Sequence, residues 1–182
     1  TKKIYNIIDK CKKEINNIIN NSLVDKVEIV VVNDGSTDKT KEIAEQIEGI
    51  ILVSHEKNSG FGAALKTGFS SSSGELIGFL DADGTCDPVY FINLLNELEK
   101  QKADITIASR MGKTSKMPKI RRLGNKIFAT LVNLIANTYI SDSSSGFRVL
   151  KRSIMERLHP LPNGLHFVTA MSTRAVLDKN IK

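Results

Sequence analysis

The chain has 182 residues, 41% of them apolar and 25% charged, with few aromatics and no tryptophan. That length holds one domain with a sizeable core, and the composition excludes a disordered, collagenous or disulfide-stapled chain. A net charge of +6 favours anionic partners such as phosphorylated ligands, nucleic acid or an acidic membrane surface, although a lysine-rich solvated surface would account for charge alone. The two cysteines, Cys11 and Cys86, show neither a pairing pattern nor metal spacing, which suits packing residues in a reducing, cytosolic compartment. The sequence shows no signal peptide and no apolar run of membrane-spanning length.

Ile4, Ile7, Ile8, Cys11, Ile15, Ile18 and Ile19 recur at helical spacing and predict an amphipathic helix over residues 2–21. VEIVVV (27–32) is β-branched and nearly continuous, as in a strand covered on both faces. Ser36, Thr37 and Asp38 supply N-cap chemistry for a helix over 38–48. GIILVS (49–54) predicts a second strand, the glycine-led NSGFGAALKTGFSSSSG (58–74) a turn opening a helix, and ELIGFL (75–80) a third strand. Pro88 starts a helix to about Lys100, and ADITIAS (103–109) predicts the fourth strand. A basic loop, RMGKTSKMPKIRR, leads into a long helix near 120–138, followed by a short strand at 147–150 and a helix over 168–179. This alternation predicts an α/β fold with a mostly parallel, doubly wound sheet in a single domain, residues 1–182. Such sheets usually open on a strand, whereas this chain opens and closes in helical sequence. The expectation is therefore a domain trimmed at both ends that lacks its first strand.

In open α/β sheets, ligands bind beyond the carboxyl ends of the strands. Three polar motifs fall there: Asn33-Asp34-Gly35-Ser36, then His55-Glu56-Lys57-Asn58-Ser59-Gly60, then Asp81-Ala82-Asp83. Each alone is an ordinary turn or cap; their convergence on successive strand ends points to a site. On an extended chain Asp81 and Asp83 share a face, and two like charges that close need a compensator. Oxygen ligands suit Mg²⁺ or Mn²⁺, which typically takes one or two carboxylates plus substrate phosphates. Asp87, before Pro88, reads as a helix cap. Gly60 and Gly62 stand at a helix start, where free N–H groups favour an anion, or where a tight turn needs positive φ.

Two family resemblances arise from these residues. LDADGTCD fits the haloacid dehalogenase phosphatase signature, which would make Asp81 a nucleophile and Asp83 an acid/base. That pattern belongs on a first strand with a later acidic pair, and here at least two strands precede it. The second resemblance spans nearly the whole chain. VVVNDGSTDKT, HEKNSGFGAALKTG, GFLDADGTCDP, IASR, SDSSSGFRVLKRS and FVTAMSTRA occur in the order and rough spacing of family-2 inverting glycosyltransferases. Within that family the chain resembles the polyprenyl-phosphate branch, similar to dolichyl-phosphate mannose synthases. The resemblance implies the nucleotide-diphospho-sugar transferase (GT-A) fold, a nucleotide-sugar donor, a metal carried by Asp81 and Asp83, and no nucleic-acid partner. It implies a polyprenyl-phosphate acceptor at a membrane surface, with the protein peripheral at the cytoplasmic face. By the same resemblance Asp34 contacts the base or ribose and Asp38 ends that motif. Lys57, Asn58 and Gly60 form the donor-side loop, Arg110 lies beside the donor or acceptor phosphate, and Asp142, Arg148 and Arg174 lie near the acceptor. The chain departs from the family pattern at Asn33, where an aspartate is usual, and at Cys86-Asp87, where histidine often follows the acidic pair.

A leaving nucleoside diphosphate develops negative charge, which a cation on Asp83, Lys57 and the N–H groups near Gly60 would stabilise. A phosphate acceptor is already ionised and needs positioning by arginines, with Arg110, Arg121, Arg122, Arg148 and Arg174 as candidates. A saccharide hydroxyl acceptor, the alternative, would need a base, and Asp142 is the candidate. A non-catalytic nucleotide-sugar-binding fragment is the remaining reading. The helix at 120–138 carries a basic entry and a broad apolar face, which fits either a membrane interface or an ordinary core helix.

Overall fold

The computed structural model describes residues 2–112, 118–136 and 139–182. Helix α1 (Lys2–Asn21) is followed by β1 (Val30–Asp34), α2 (Thr40–Glu45), β2 (Ile51–His55), α3 (Phe61–Ser70) and β3 (Leu76–Phe79). A 3₁₀ turn (Pro88–Tyr90) leads into α4 (Phe91–Lys100), and β4 (Ile105–Ile107), α5 (Lys119–Ile135) and β5 (Arg148–Lys151) follow. Then come a second 3₁₀ turn (Arg152–Ile154), α6 (Met155–Leu158) and α7 (Phe167–Leu177). Each predicted strand and helix is present with its ends moved by a few residues, and α6 is an addition. The expected end of the long helix at 137–138, the stretch 113–117 of the basic loop and the side chain of Arg121 lie outside the described residues.

The α/β class follows from the alternation, and β1 and β2 pair in parallel from Val30↔Ile51 to Asp34↔His55. The other three strands form a sheet in the order β3-β5-β4, and β5 runs antiparallel to both neighbours. Strand β5 thus departs from the direction of an otherwise mostly parallel arrangement, and the reason is local. The segment before β5 returns to the same sheet edge that β4 leaves: Ser141 Oγ donates to Ser109 Oγ at 3.0 Å and Ala108 N to the Phe147 carbonyl at 2.9 Å. Helix α5 packs against α7 and does not cross back over the sheet, so it is no βαβ crossover.

Alternate β5 residues serve opposite layers, as the two-residue period of a strand requires. Leu150 joins Phe69, Phe79, Phe167 and Met171 on the side of α3 and α7. Val149 joins Ile18, Leu94, Leu95 and Leu98 on the side of α1 and α4. All of these are buried, and burying a leucine or phenylalanine side chain stabilises by roughly 1.5–3 kcal/mol.

Helix α5 departs from this pattern. Among its described side chains it buries only Asn125, Ala129 and Val132, while Ile120, Leu123, Ile127, Leu131, Leu134 and Ile135 face solvent, the last two 75% and 71% exposed. Within this chain that is not the burial pattern of a core helix. No described helix is long and apolar enough to cross a membrane.

Candidate active site

At the carboxyl ends of β1 and β2 the register sets Asp34 opposite His55. Asp34 Oδ1 accepts from His55 Nδ1 at 2.7 Å and from the Ser59 amide at 2.8 Å, and Oδ2 accepts from the Gly60 amide at 2.9 Å. Burial acts to raise the Asp34 carboxyl, but the Ser59 amide, the His55 ring and the Gly60 amide together hold it below the usual carboxylate range. The far ring nitrogen of His55, Nε2, meets Thr67 Oγ1 at 2.9 Å. Asp34 is thus committed to holding the 57–60 loop, which presents Lys57 and Asn58 exposed at the rim. Gly35 has φ +68°, and a Cβ there would lie 2.4 Å from the backbone of Lys57 and Asn58, so the two loops approach as only glycine permits. Asp38 is exposed and accepts from the Thr40 amide at 3.0 Å as a start signal for α2.

The anion site expected at the head of α3 is already filled by protein. The Asn163 carbonyl accepts from the Gly62 and Ala63 amides at 2.7 and 3.2 Å, while Lys66 Nζ donates to Asn163 Oδ1 at 2.8 Å. With the Ser59 and Gly60 amides taken by Asp34, those N–H groups are not offered to a diphosphate. Gly60 has φ +100°, and a Cβ would sit 2.6 Å from the Asn163 oxygen. Gly60→Ala is therefore expected to destabilise the chain by about 2 kcal/mol or more, measured as a lower urea midpoint.

Beyond β3 the chain does not remain extended. Ala82 and Asp83 form a turn, so the two acids are not related as alternate residues of a strand. Asp83 is exposed, and its Oδ1 accepts from the amide of Thr85 at 2.8 Å and from its hydroxyl at 2.6 Å. Asp81 is half-buried; burial and then the nearby Asp83 charge raise its carboxyl above the ordinary range, and Arg110 opposes them. Gly146 lies beneath it, where a Cβ would come within 3.2 Å of Asp81 Oδ2.

Arg110 is positioned by Asp142. Asp142 Oδ2 accepts from the Arg110 amide at 2.9 Å and from Nε at 3.0 Å, and Oδ1 accepts from Arg110 Nη2 at 3.0 Å. Asn125 Nδ2 at 2.9 Å and the Ser144 amide at 3.1 Å complete the shell around Oδ1. Burial acts to raise the Asp142 carboxyl, but the Arg110 side chain and amide dominate and hold it low. A buried carboxylate with both oxygens occupied and its proton affinity lowered is poorly suited to act as a base, contrary to the role expected of Asp142.

Arg148, expected near the acceptor, is fully buried on β5. Its Nη1 donates to the Ser172 hydroxyl at 3.1 Å and the Val168 carbonyl at 3.4 Å, Nη2 donates to the Ser145 carbonyl, and the guanidinium lies 5.7 Å from the Phe79 ring centre. Burial pulls the guanidinium down to about 9, with the Asp142 charge opposing. Arg174, on α7, donates to the His159 carbonyl at 3.1 Å and has no bond into this network. Arg122 donates to the Met111 and Gly112 carbonyls and so ties α5 to the loop after Arg110. The structure thus groups Asp81, Asp83, Arg110 and Asp142 at one rim and Asp34, Lys57, Asn58 and Gly60 at another, with Arg148 buried within reach of the Asp142 charge and Arg174 bonded to neither group.

The family model "Glycosyl transferase family 2" matches residues 4–158. The chain belongs to that family. A relative in Methanococcus voltae, named UDP-N-acetylglucosamine–dolichyl-phosphate N-acetylglucosaminyltransferase, is 25% identical over 98% of this chain and 81% of its own. A dolichyl-phosphate beta-glucosyltransferase of Trichomonas vaginalis is 34% identical over 69% of this chain and 42% of its own. Glucosyl-3-phosphoglycerate synthase from Mycobacterium tuberculosis, solved with Mn²⁺, uridine-diphosphate-glucose and phosphoglyceric acid, superposes on 86% of this chain with a TM-score of 0.63 at 23% identity. That likeness establishes the fold, and this chain covers 58% of that protein. Relative to the two shorter matches the family-2 chain spans about half of the longer protein.

Four residues of this family-2 site escape sequence reasoning: His55, Asn125, Gly146 and Asn163. His55 stood in the motif as an unassigned ring, and the parallel pairing of β1 with β2 was the available signal that it faces Asp34. Asn125 left the signal of a polar residue on an otherwise apolar helix. Asn163 acts through its carbonyl, which every residue has, so no side-chain pattern announces it.

Proposed function

We propose that this family-2 chain carries the catalytic domain of a metal-dependent, inverting glycosyltransferase that moves a sugar from a UDP- or GDP-linked donor to a polyprenyl phosphate. The observation that carries the reading is the half-buried Asp81 beside the exposed Asp83 just beyond β3, where burial and the Asp83 charge raise the Asp81 carboxyl and Arg110 opposes them. Among the described residues no three His, Cys, Asp or Glu side chains gather as a metal cluster. Two carboxylates without a third protein ligand fit Mg²⁺ or Mn²⁺ that takes its remaining oxygens from a substrate diphosphate. Asp81 and Asp83 would hold that ion, which when bound supplies Lewis-acid stabilisation of the departing diphosphate. Arg110, clamped by Asp142 with its side chain 42% exposed, keeps a fixed cation at the same rim for a phosphate. Lys57 reaches the donor from the 57–60 loop. A phosphate acceptor needs no general base, which agrees with an Asp142 whose oxygens are engaged.

The names of the two curated relatives support a dolichyl-phosphate-type acceptor. Helix α5 supports a membrane-surface setting at the cytoplasmic face: it contains no acid, enters with Lys119, Arg121 and Arg122, and leaves its apolar face open. The test uses the full-length protein with radiolabelled UDP- and GDP-sugars and polyprenyl phosphate. Label is expected in the organic phase, dependent on Mg²⁺ or Mn²⁺; label found only in water-soluble saccharide would refute the acceptor class.

A further inference from the structure

We propose that His55 is a positioning residue of this site: it fixes the 57–60 loop through Asp34 and thereby sets donor affinity, without touching the donor. The inference rests on the nucleotide-sugar reading above and adds a residue to it. His55 closes β2, and its ring spans two other elements, meeting Asp34 Oδ1 of β1 at 2.7 Å and Thr67 Oγ1 of α3 at 2.9 Å. Both side chains of the His55–Asp34 pair are mostly shielded, 17% and 18% exposed. An ionised carboxylate accepts only, so Nδ1 carries the hydrogen toward Asp34, and Nε2 takes or gives one at the Thr67 hydroxyl. The ring therefore orients Asp34, and the oriented carboxylate in turn accepts from the Ser59 and Gly60 amides at 2.8 and 2.9 Å. Among the described residues neither amide has another acceptor, and both belong to the turn that carries Lys57 and Asn58. Opposite it, the Asn163 carbonyl and Lys66 brace the start of α3, so the loop is clamped from both sides, on one of them by the carboxylate that the ring orients. A loop ordered before binding spares the ligand the entropy of ordering it.

The experiment follows UDP and GDP binding to the full chain by calorimetry in Mn²⁺, with amide hydrogen exchange at Ser59 and Gly60 in the nucleotide-free protein. His55→Ala is expected to weaken nucleotide binding about tenfold, the scale of one lost hydrogen bond to a charged group, and to speed exchange at both amides. His55→Asn, whose amide nitrogen donates from nearly the position of Nδ1, should recover most of the affinity. Thr67→Val, which removes only the partner of Nε2, should cost about threefold in the same direction. Wild-type affinity in His55→Ala, unchanged exchange at Ser59 and Gly60, or an asparagine variant no better than alanine would each overturn the proposal while leaving the donor reading standing. A wild-type chain that binds neither nucleotide would overturn both.

Discussion

Arg148→Ala is expected to lower the unfolding free energy by about 3–5 kcal/mol, read as a large fall in the urea midpoint. The guanidinium fills space beside Phe79 and supplies the donors for the Ser145 and Val168 carbonyls and the Ser172 hydroxyl. Truncation leaves the Ser145 carbonyl buried without its side-chain donor, whereas the Val168 carbonyl keeps the Ser172 hydroxyl at 2.9 Å, and it adds a cavity against an aromatic ring. Its effect reaches the site through the backbone: Ser172 Oγ also donates to the Ser143 carbonyl at 2.8 Å, and Ser143 Oγ to Asn125 Oδ1 at 3.1 Å, next to Asp142. Loss of sugar transfer should therefore accompany loss of stability. A residue contacting the acceptor would instead lose activity with its midpoint intact. Arg148→Met separates the contributions: it fills most of the volume and removes a costly buried charge, so it should be more stable than the alanine variant. Its shortfall from wild type then reports the unpaired Ser145 carbonyl.

Secondary structure was legible because the chain is locally consistent. The isoleucine spacing of α1, the β-branched run of β1 and the proline before α4 each name one conformation without help from elsewhere. Strand direction was not legible at β5, because a long helix between two strands ordinarily signals a crossover, and the tertiary contacts of Ser109 with Ser141 and of Ala108 with Phe147 are what show the chain doubling back. The site was half legible. Residue types at strand ends marked Asp34, Asp81 and Asp83, and the family resemblance marked Arg110, but the sequence does not say which charges face each other. Asp142 looked free to act as a base and is held by Arg110; Arg148 looked like a phosphate ligand and is buried. In each case the charge is engaged by other elements, Asp142 by Arg110 and Arg148 by neutral oxygens of Ser145, Val168 and Ser172, information carried by tertiary contacts alone. For α5 the opposite holds, since its apolar residues were visible and the fold leaves them uncovered.

The most direct consequence of the proposed function concerns Asp83. Asp83→Asn is expected to reduce Mn²⁺-dependent binding of UDP or GDP by about 100-fold in calorimetry while leaving the thermal midpoint unchanged. Asparagine is the informative substitution because its side-chain carbonyl retains the acceptor for the Thr85 amide and hydroxyl, now at 2.8 and 2.6 Å, so the turn persists while the charge goes. Alanine removes both, and any loss it shows mixes charge with a slackened turn. Asp81→Asn provides the complement. Its carboxyl is raised by burial and by Asp83, so removing its charge relieves repulsion in the metal-free chain, and the midpoint should hold or rise as binding falls. The two variants together tie the stability cost of the paired acids to their affinity for a dication. If Asp83→Asn bound nucleotide in Mn²⁺ as tightly as the wild type, the acids would be compensated by Arg110 alone and the metal would have no place at this rim.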